Sequence, residues 1–235
     1  MFDFIENIDP ENELTFNSKI FLIFDVDWAQ DEIIDNTLEI LQPLKVASTW
    51  FLTHETSKNQ ILHESGIVKT GIHPNFNEIL MGRSETSFRE DLDKSMKLIE
   101  SPKVVRSHSQ TQSSRILDRF AEIGITHDCN HYIPFHSGIE LKPWKIWNNM
   151  IKVPVSWEDD LDICRGKNID LATLVKSSGL KVFSFHPIHV FLNSNNLDVY
   201  EKTRPLHSQP KKLIEFINKG YGVRNFLEEL IDLGT

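Results

Sequence analysis

Asp25 and Asp27 stand two apart at the end of an apolar run, Phe21-Leu22-Ile23-Phe24. In an extended strand that spacing sends both carboxylates to one side. Two carboxylates so close resist joint ionisation, and a divalent cation relieves the conflict. His73 and Asn77 are four apart. In a helical turn that spacing puts both on one face, as with paired metal histidines. Pro74 suits the first position of such a helix. Asp27, His73 and Asn77 together would offer a metal one carboxylate, one imidazole and one amide oxygen. Three protein ligands with a place left for water is the open arrangement of a catalytic ion.

Other polar residues occupy equivalent places. Arg106 follows Val104-Val105, and beside Asp25 it would keep that carboxylate ionised and oriented. His186 follows Val182-Phe183-Ser184-Phe185 and precedes Pro187. A histidine so placed can protonate a leaving group if a carboxylate fixes its tautomer. Asp159 or Asp160, in Ser156-Trp157-Glu158-Asp159-Asp160, would serve. His108 reads equally as a site or a surface residue, and Trp157 reads as core before pocket wall. The chemistry these groups suit is metal-assisted hydrolysis.

Something must carry these groups to one place. Five apolar runs each end in polar residues, the pattern by which parallel α/β barrels build active sites at their strand ends. Patterning predicts strands over 19–27, 46–52, 67–73, from 104, from 125, over 151–155 and over 180–185. Helices are predicted over 31–41, 57–64, from Ser87 with its capping box to Glu90, 113–123, 169–176, 211–219 and 225–233. Residues 131–150 read as a long loop with a possible hairpin, and 193–209 as polar loop. Residues 1–17 read as a loose lead-in, and 191–235 as a C-terminal loop and helices. No linker or repeat divides residues 1–235, so one domain is expected. The fold expected is α/β, a distorted or incomplete (β/α)7 barrel, because polar residues end nearly every strand and not one switch point.

Composition narrows the partners. The chain has 235 residues, 40% hydrophobic and 25% charged, with a net charge of −9. That charge argues against nucleic acid or anionic membrane as partner. Cys129 and Cys164 are too few for a disulfide framework. No apolar stretch approaches the ~20 residues of a membrane span. The start, Met1-Phe2-Asp3-Phe4-Ile5-Glu6-Asn7, lacks the features of a signal peptide. A cytoplasmic location is the expectation. Oligomeric state is not legible.

The order Asp-x-Asp, His-x-x-x-Asn, Arg, Trp-x-Asp and a late His resembles the polysaccharide deacetylase superfamily (NodB-like, carbohydrate esterase family 4). The likeness is to its WbmS-like branch and covers roughly residues 18–190. The resemblance implies a distorted (β/α)7 barrel that binds one divalent metal, zinc or similar. It also implies removal of N-acetyl groups, or O-acetyl groups, from a sugar or surface-polysaccharide precursor. By motif, Asp25 would be the general base, Asp27 a metal ligand with His73 and Asn77, and His186 the general acid, with Arg106 and Asp159 in support. Three departures stand out. Val26 separates the aspartates, which leaves open which is base and which is ligand. Asn77 replaces a second histidine, and amide oxygen binds zinc less well than imidazole. Arg106 lacks the proline two residues later. The expected cytoplasmic location favours an intracellular intermediate, such as a nucleotide sugar or lipid-linked precursor. Competing readings are a non-catalytic binding or scaffold relative, a C–N hydrolase acting on a non-sugar amide, and a haloacid dehalogenase-type phosphatase. Asp25-Val26-Asp27, Ser48-Thr49 and Asp159-Asp160 imitate the motifs of the last.

Overall fold

In the computed structural model, which describes residues 1–167 and 169–235, one curled sheet carries the polar strand ends. The elements run β1 (Ile20–Asp25), α1 (Asp31–Leu41), β2 (Ser48–Leu52), α2 (Asn59–Glu64), β3 (Val68–Ile72), α3 (Asn77–Leu80), α4 (Phe88–Met96), β4 (Val104–Val105) and α5 (Ser114–Glu122). They continue with β5 (His127–Asp128), β6 (Trp144–Lys145), β7 (Ile151–Lys152), β8 (Trp157–Glu158), α6 (Leu171–Lys176), β9 (Lys181–Phe185), α7 (Pro187–Leu192), α8 (Leu197–Thr203), α9 (Pro210–Leu213) and α10 (Val223–Gly234).

The strand order is β6-β7-β5-β4-β3-β2-β1-β9-β8. Every neighbouring pair is parallel except β6–β7. The sheet is therefore a half-barrel whose parallel strands end on the same edge. It is the expected α/β architecture in its incomplete form.

β1 is an interior strand between β2 and β9, and all six of its residues are buried. Such a strand reads as a continuous apolar run because both faces are covered. Phe21 and Ile23 face the inside of the curl with Phe51, Val104 and Val155. Ile20, Leu22 and Phe24 face the helical layer with Ile33, Leu38 and Leu227. Period-2 alternation then places Asp25 on the inner side, where the curl opens.

The sequence reading and the structure differ at several points. Residues 1–17 are not loose, for Ile5, Ile8 and Phe16 are buried inside the curl with Phe21 and Ile23. Residues 193–209 hold α8, whose start is capped by Asn196. Polar composition masked this short helix. β8 is a strand the patterning does not predict, because its two residues are too few to show a period. β6 pairs antiparallel with β7, so the hairpin joins the end of the 131–150 loop to the strand expected from Ile151. The capping box Ser87–Glu90 is present, as is the αL glycine Gly124 (φ 90°) after α5. Trp157 is core: its ring stacks on Phe226 with centroids 4.2 Å apart.

Candidate active site

The site forms where β1, β3, β4, β8 and β9 end. Backbone hydrogen bonds carry the strand registers past the last residue of each. His73 N donates to Leu52 O (3.0 Å), Arg106 N to Ile72 O (3.1 Å) and Asp159 N to Ser184 O (3.2 Å). The His108 amide then donates to Pro74 O (3.0 Å), which draws the loop after β4 against the loop after β3.

Beyond β1 the chain makes an unusual turn. Asp27 and Trp28 are consecutive non-glycine residues at positive φ, 43° and 58°. Each costs about 1–2 kcal/mol relative to ordinary backbone. Such strain marks a position that the surroundings enforce. Here it turns the Asp27 carboxylate towards the histidines.

Asp27 Oδ1 lies 3.2 Å from His73 Nε2 and 3.1 Å from His108 Nδ1. The two ring nitrogens are 3.4 Å apart. One donor atom from each of Asp27, His73 and His108 lies within 4.8 Å of the others. This donor set fits a divalent cation. Two imidazole nitrogens and a carboxylate oxygen converge, and three protein ligands leave open positions. The other nitrogen of His73 supports the fit. Nδ1 is buried without a hydrogen-bond partner and faces Asp25 Oδ1, itself unpartnered, at 3.6 Å. A proton on Nδ1 leaves the Nε2 lone pair free, the usual outer support of a metal histidine.

Asn77 is not brought to this set. Its side-chain amide donates to Ser109 Oγ at 3.1 Å, and it does not line the cavity. The reason is local: α3 begins at Asn77, so His73 ends an extended segment instead of opening a helical turn. A four-residue spacing does not bring side chains together in such a segment. His108 stands where Asn77 was expected.

Asp25 is buried, and its Oδ2 accepts from Arg106 Nε at 2.7 Å. Burial works against this carboxylate, yet Arg106 beside it keeps its pKa below the ordinary range. Asp27 also stays well below that range: burial opposes its charge, while hydrogen bonds from His108 and His73 outweigh it. Every nitrogen of the Arg106 guanidinium makes a hydrogen bond. Nη2 donates to Glu158 Oε1 (2.7 Å) and Nη1 to Cys129 O (2.6 Å). Glu158 Oε1 accepts a second bond from Gln110 Nε2 (2.8 Å). Burial raises the Glu158 pKa despite Arg106.

His186 is clamped at two points by Asp159. Its amide donates to Asp159 Oδ2 (2.7 Å), and Nδ1 lies 2.7 Å from Oδ1. Its Nε2 faces the cavity, 3.7 Å from Asp27 Oδ2 and 3.9 Å from Asp25 Oδ2. Burial disfavours the imidazolium, but Asp159 more than compensates and holds the pKa well above the usual histidine value. Between the two aspartates left open by the sequence, Asp159 meets His186. His189 also comes near, with a donor atom within 4.8 Å of Asp159 and His186.

Asp25, Asp27, His73, Arg106, His108 and His186 line one cavity of about 450 Å³. Sequence reasoning missed Glu158, Gln110, His189 and Tyr200, which line it too. A signal existed for His108, which follows its strand end as His73 does. Tyr200 carried no signal, because α8 was unrecognised.

Comparison with known proteins adds to this geometry. A family model described as "WbmS-like: Polysaccharide deacetylase" matches residues 22–204. The crystal structure of WbmS from Bordetella bronchiseptica superposes with a TM-score of 0.94 and 35% sequence identity, covering 100% of this chain and 98% of that one. That protein is described as a proposed polysaccharide deacetylase involved in O-antigen biosynthesis. No curated protein matches.

Proposed function

Because the chain belongs to the WbmS-like polysaccharide deacetylase family, we propose that it hydrolyses an acetamido group on a sugar or surface-polysaccharide precursor, releasing acetate and leaving an amine. One observation carries this reading: a cation-binding set, an ionised carboxylate and a carboxylate-clamped histidine share one cavity.

Asp27, His73 and His108 would hold a divalent metal, zinc being suited to two imidazoles and a carboxylate. When bound, it would act as a Lewis acid on the amide carbonyl and make water more acidic. The remaining work falls to the chain. Asp25, fixed by Arg106 and with Oδ1 unpartnered, accepts the proton of the attacking water. Arg106 keeps that carboxylate ionised until the proton arrives. His186 protonates the departing nitrogen from Nε2, while Asp159 holds Nδ1 and stabilises the imidazolium. The amide C–N bond breaks, and water supplies hydroxyl to the acetyl carbon and a proton to Asp25.

The division of roles between the aspartates follows from their partners. Asp25 is tied to a guanidinium, whereas Asp27 faces two imidazole nitrogens. Acetate release from a panel of N-acetylated and O-acetylated sugars tests the reading. Wild-type protein is expected to release acetate, and Asp25→Asn and His186→Gln to lose at least about 100-fold in kcat. Release of acetate by wild type and both variants at one rate would refute it.

A further inference from the structure

We propose that the cavity selects an uncharged sugar at the reacting position and rejects phosphate- or carboxylate-bearing ones, with Asp160 and Glu201 setting that preference. The inference rests on the deacetylase reading for its substrate class and on the charge of the cavity for its selectivity.

The carboxylates of Asp25, Asp27, Glu158, Asp160 and Glu201 all line the cavity. Among the described lining residues, Arg106 is the one permanent cation. It is 2% exposed and already bonded to Asp25, Glu158 and a backbone carbonyl, so its charge is spent on buried partners. His186 is paired with Asp159. Histidines that coordinate a cation are neutral. A divalent ion on Asp27, His73 and His108 would therefore still leave carboxylates in the majority.

Two of the five carboxylates, Asp160 and Glu201, accept no side-chain hydrogen bond from the catalytic groups, although the Asp160 amide donates to Asp159 Oδ1 (2.8 Å). Among the described residues Asp160 makes no ion pair, and its Oδ1 has no hydrogen-bond partner. A carboxylate at a cavity wall with no cation beside it favours ligands that bring hydrogen-bond donors over ligands that bring negative charge. Sugar hydroxyls and amines are donors, whereas ionised phosphates and carboxylates are acceptors only. Glu201, on α8, has one weak partner: Arg204 at 3.5 Å, largely exposed and outside the cavity lining. The Glu201 side chain is 60% exposed, so its repulsion of a ligand anion acts at the rim and is screened by salt.

Calorimetric binding to the metal-loaded protein, paired with acetate release, tests this. The ligands are a neutral N-acetylhexosamine oligosaccharide, the matching N-acetylhexosamine 1-phosphate and the matching uronate. The neutral ligand is expected to bind and turn over at least about tenfold better than either anion at low salt. Added salt should narrow the gap. Asp160→Asn combined with Glu201→Gln should narrow it further, by improving the anions. Equal or better binding of either anion, or a ratio unmoved by the double variant, overturns the proposal. Binding that prefers the neutral ligand without acetate release supports the selectivity and refutes the hydrolytic reading instead. Failure to bind any of the three overturns both.

Discussion

Asp25 Oδ1 and His73 Nδ1 face each other at 3.6 Å, both buried and neither with a hydrogen-bond partner. The distance exceeds that of a hydrogen bond. Two such groups persist together when each is recruited by a third party. For Asp25 that is the proton of water. For His73, under the proposed function, it would be a cation on the opposite nitrogen, which would sharpen the acidity of Nδ1–H. The pair links the proton acceptor to the cation-binding set, and the predictions follow from that link.

In the proposed site His108 takes the ligand place that the His73–Asn77 spacing suggested for Asn77. His108→Ala is expected to lower zinc affinity more than about 100-fold, beyond the usual cost of an outer-shell change. Asn77→Ala should leave zinc affinity at the wild-type value. Competition with a chromophoric chelator reads both. Loss in Asn77→Ala with retention in His108→Ala would return the ligand role to the amide.

Arg106 stands between two buried carboxylates, Asp25 and Glu158. Removing one partner of a buried ion pair costs about 3–5 kcal/mol. Arg106→Met should therefore lower the free energy of unfolding in urea by that amount. Adding Glu158→Gln should restore part of it, since one uncompensated charge disappears. Equal stability of the single and double variants would show that Glu158 is not held by this pairing.

His189 provides a pH dependence of stability. Its ring is buried, Nδ1 lies 3.0 Å from Ser194 Oγ, and His186, Tyr200, Asp159 and His207 surround it. Burial, opposed by Asp159, pushes its pKa down to about 4. The folded state thus keeps it neutral where the unfolded chain, near 6.5, would bind a proton. Its contribution is complete above pH 6.5 and is lost as pH falls towards 4, by up to about 3 kcal/mol. In His189→Asn this part of the acid destabilisation should vanish in urea titrations between those values. An unchanged slope would assign the effect elsewhere.

Trp28 holds φ at 58° directly after Asp27 at 43°. Glycine adopts that region without strain. Trp28→Gly is therefore expected to be more stable than Trp28→Ala by about 1 kcal/mol, contrary to the usual ranking of the two residues. Thermal unfolding of both variants decides. A more stable alanine variant would mean that the turn relaxes out of the left-handed region.

Much of this arrangement was legible in the chain. Apolar runs ended at Asp25, His73, Arg106 and His186, and the parallel sheet brings those ends to one edge. Asp159 was recognisable because a catalytic histidine needs a carboxylate. The ligand set was legible only in part. The pairing of His73 with Asn77 assumed a helix beginning at Pro74, whereas β3 ends at Ile72 and the helix starts only at Asn77. His108 depends on a contact between two loops, fixed by its amide on Pro74 O, and no local spacing encodes that. Tyr200 and Glu201 were hidden because seven residues of polar helix resemble a loop in composition.

The central claim is that Asp27, His73 and His108 grip one divalent ion beside Asp25 and His186. Anomalous diffraction at the zinc edge from crystals grown with zinc tests it most directly. The account predicts one strong peak about 2.0–2.2 Å from Asp27 oxygen, His73 Nε2 and His108 Nδ1. A peak on Asn77, or on surface carboxylates with that cavity bare of metal, would contradict it.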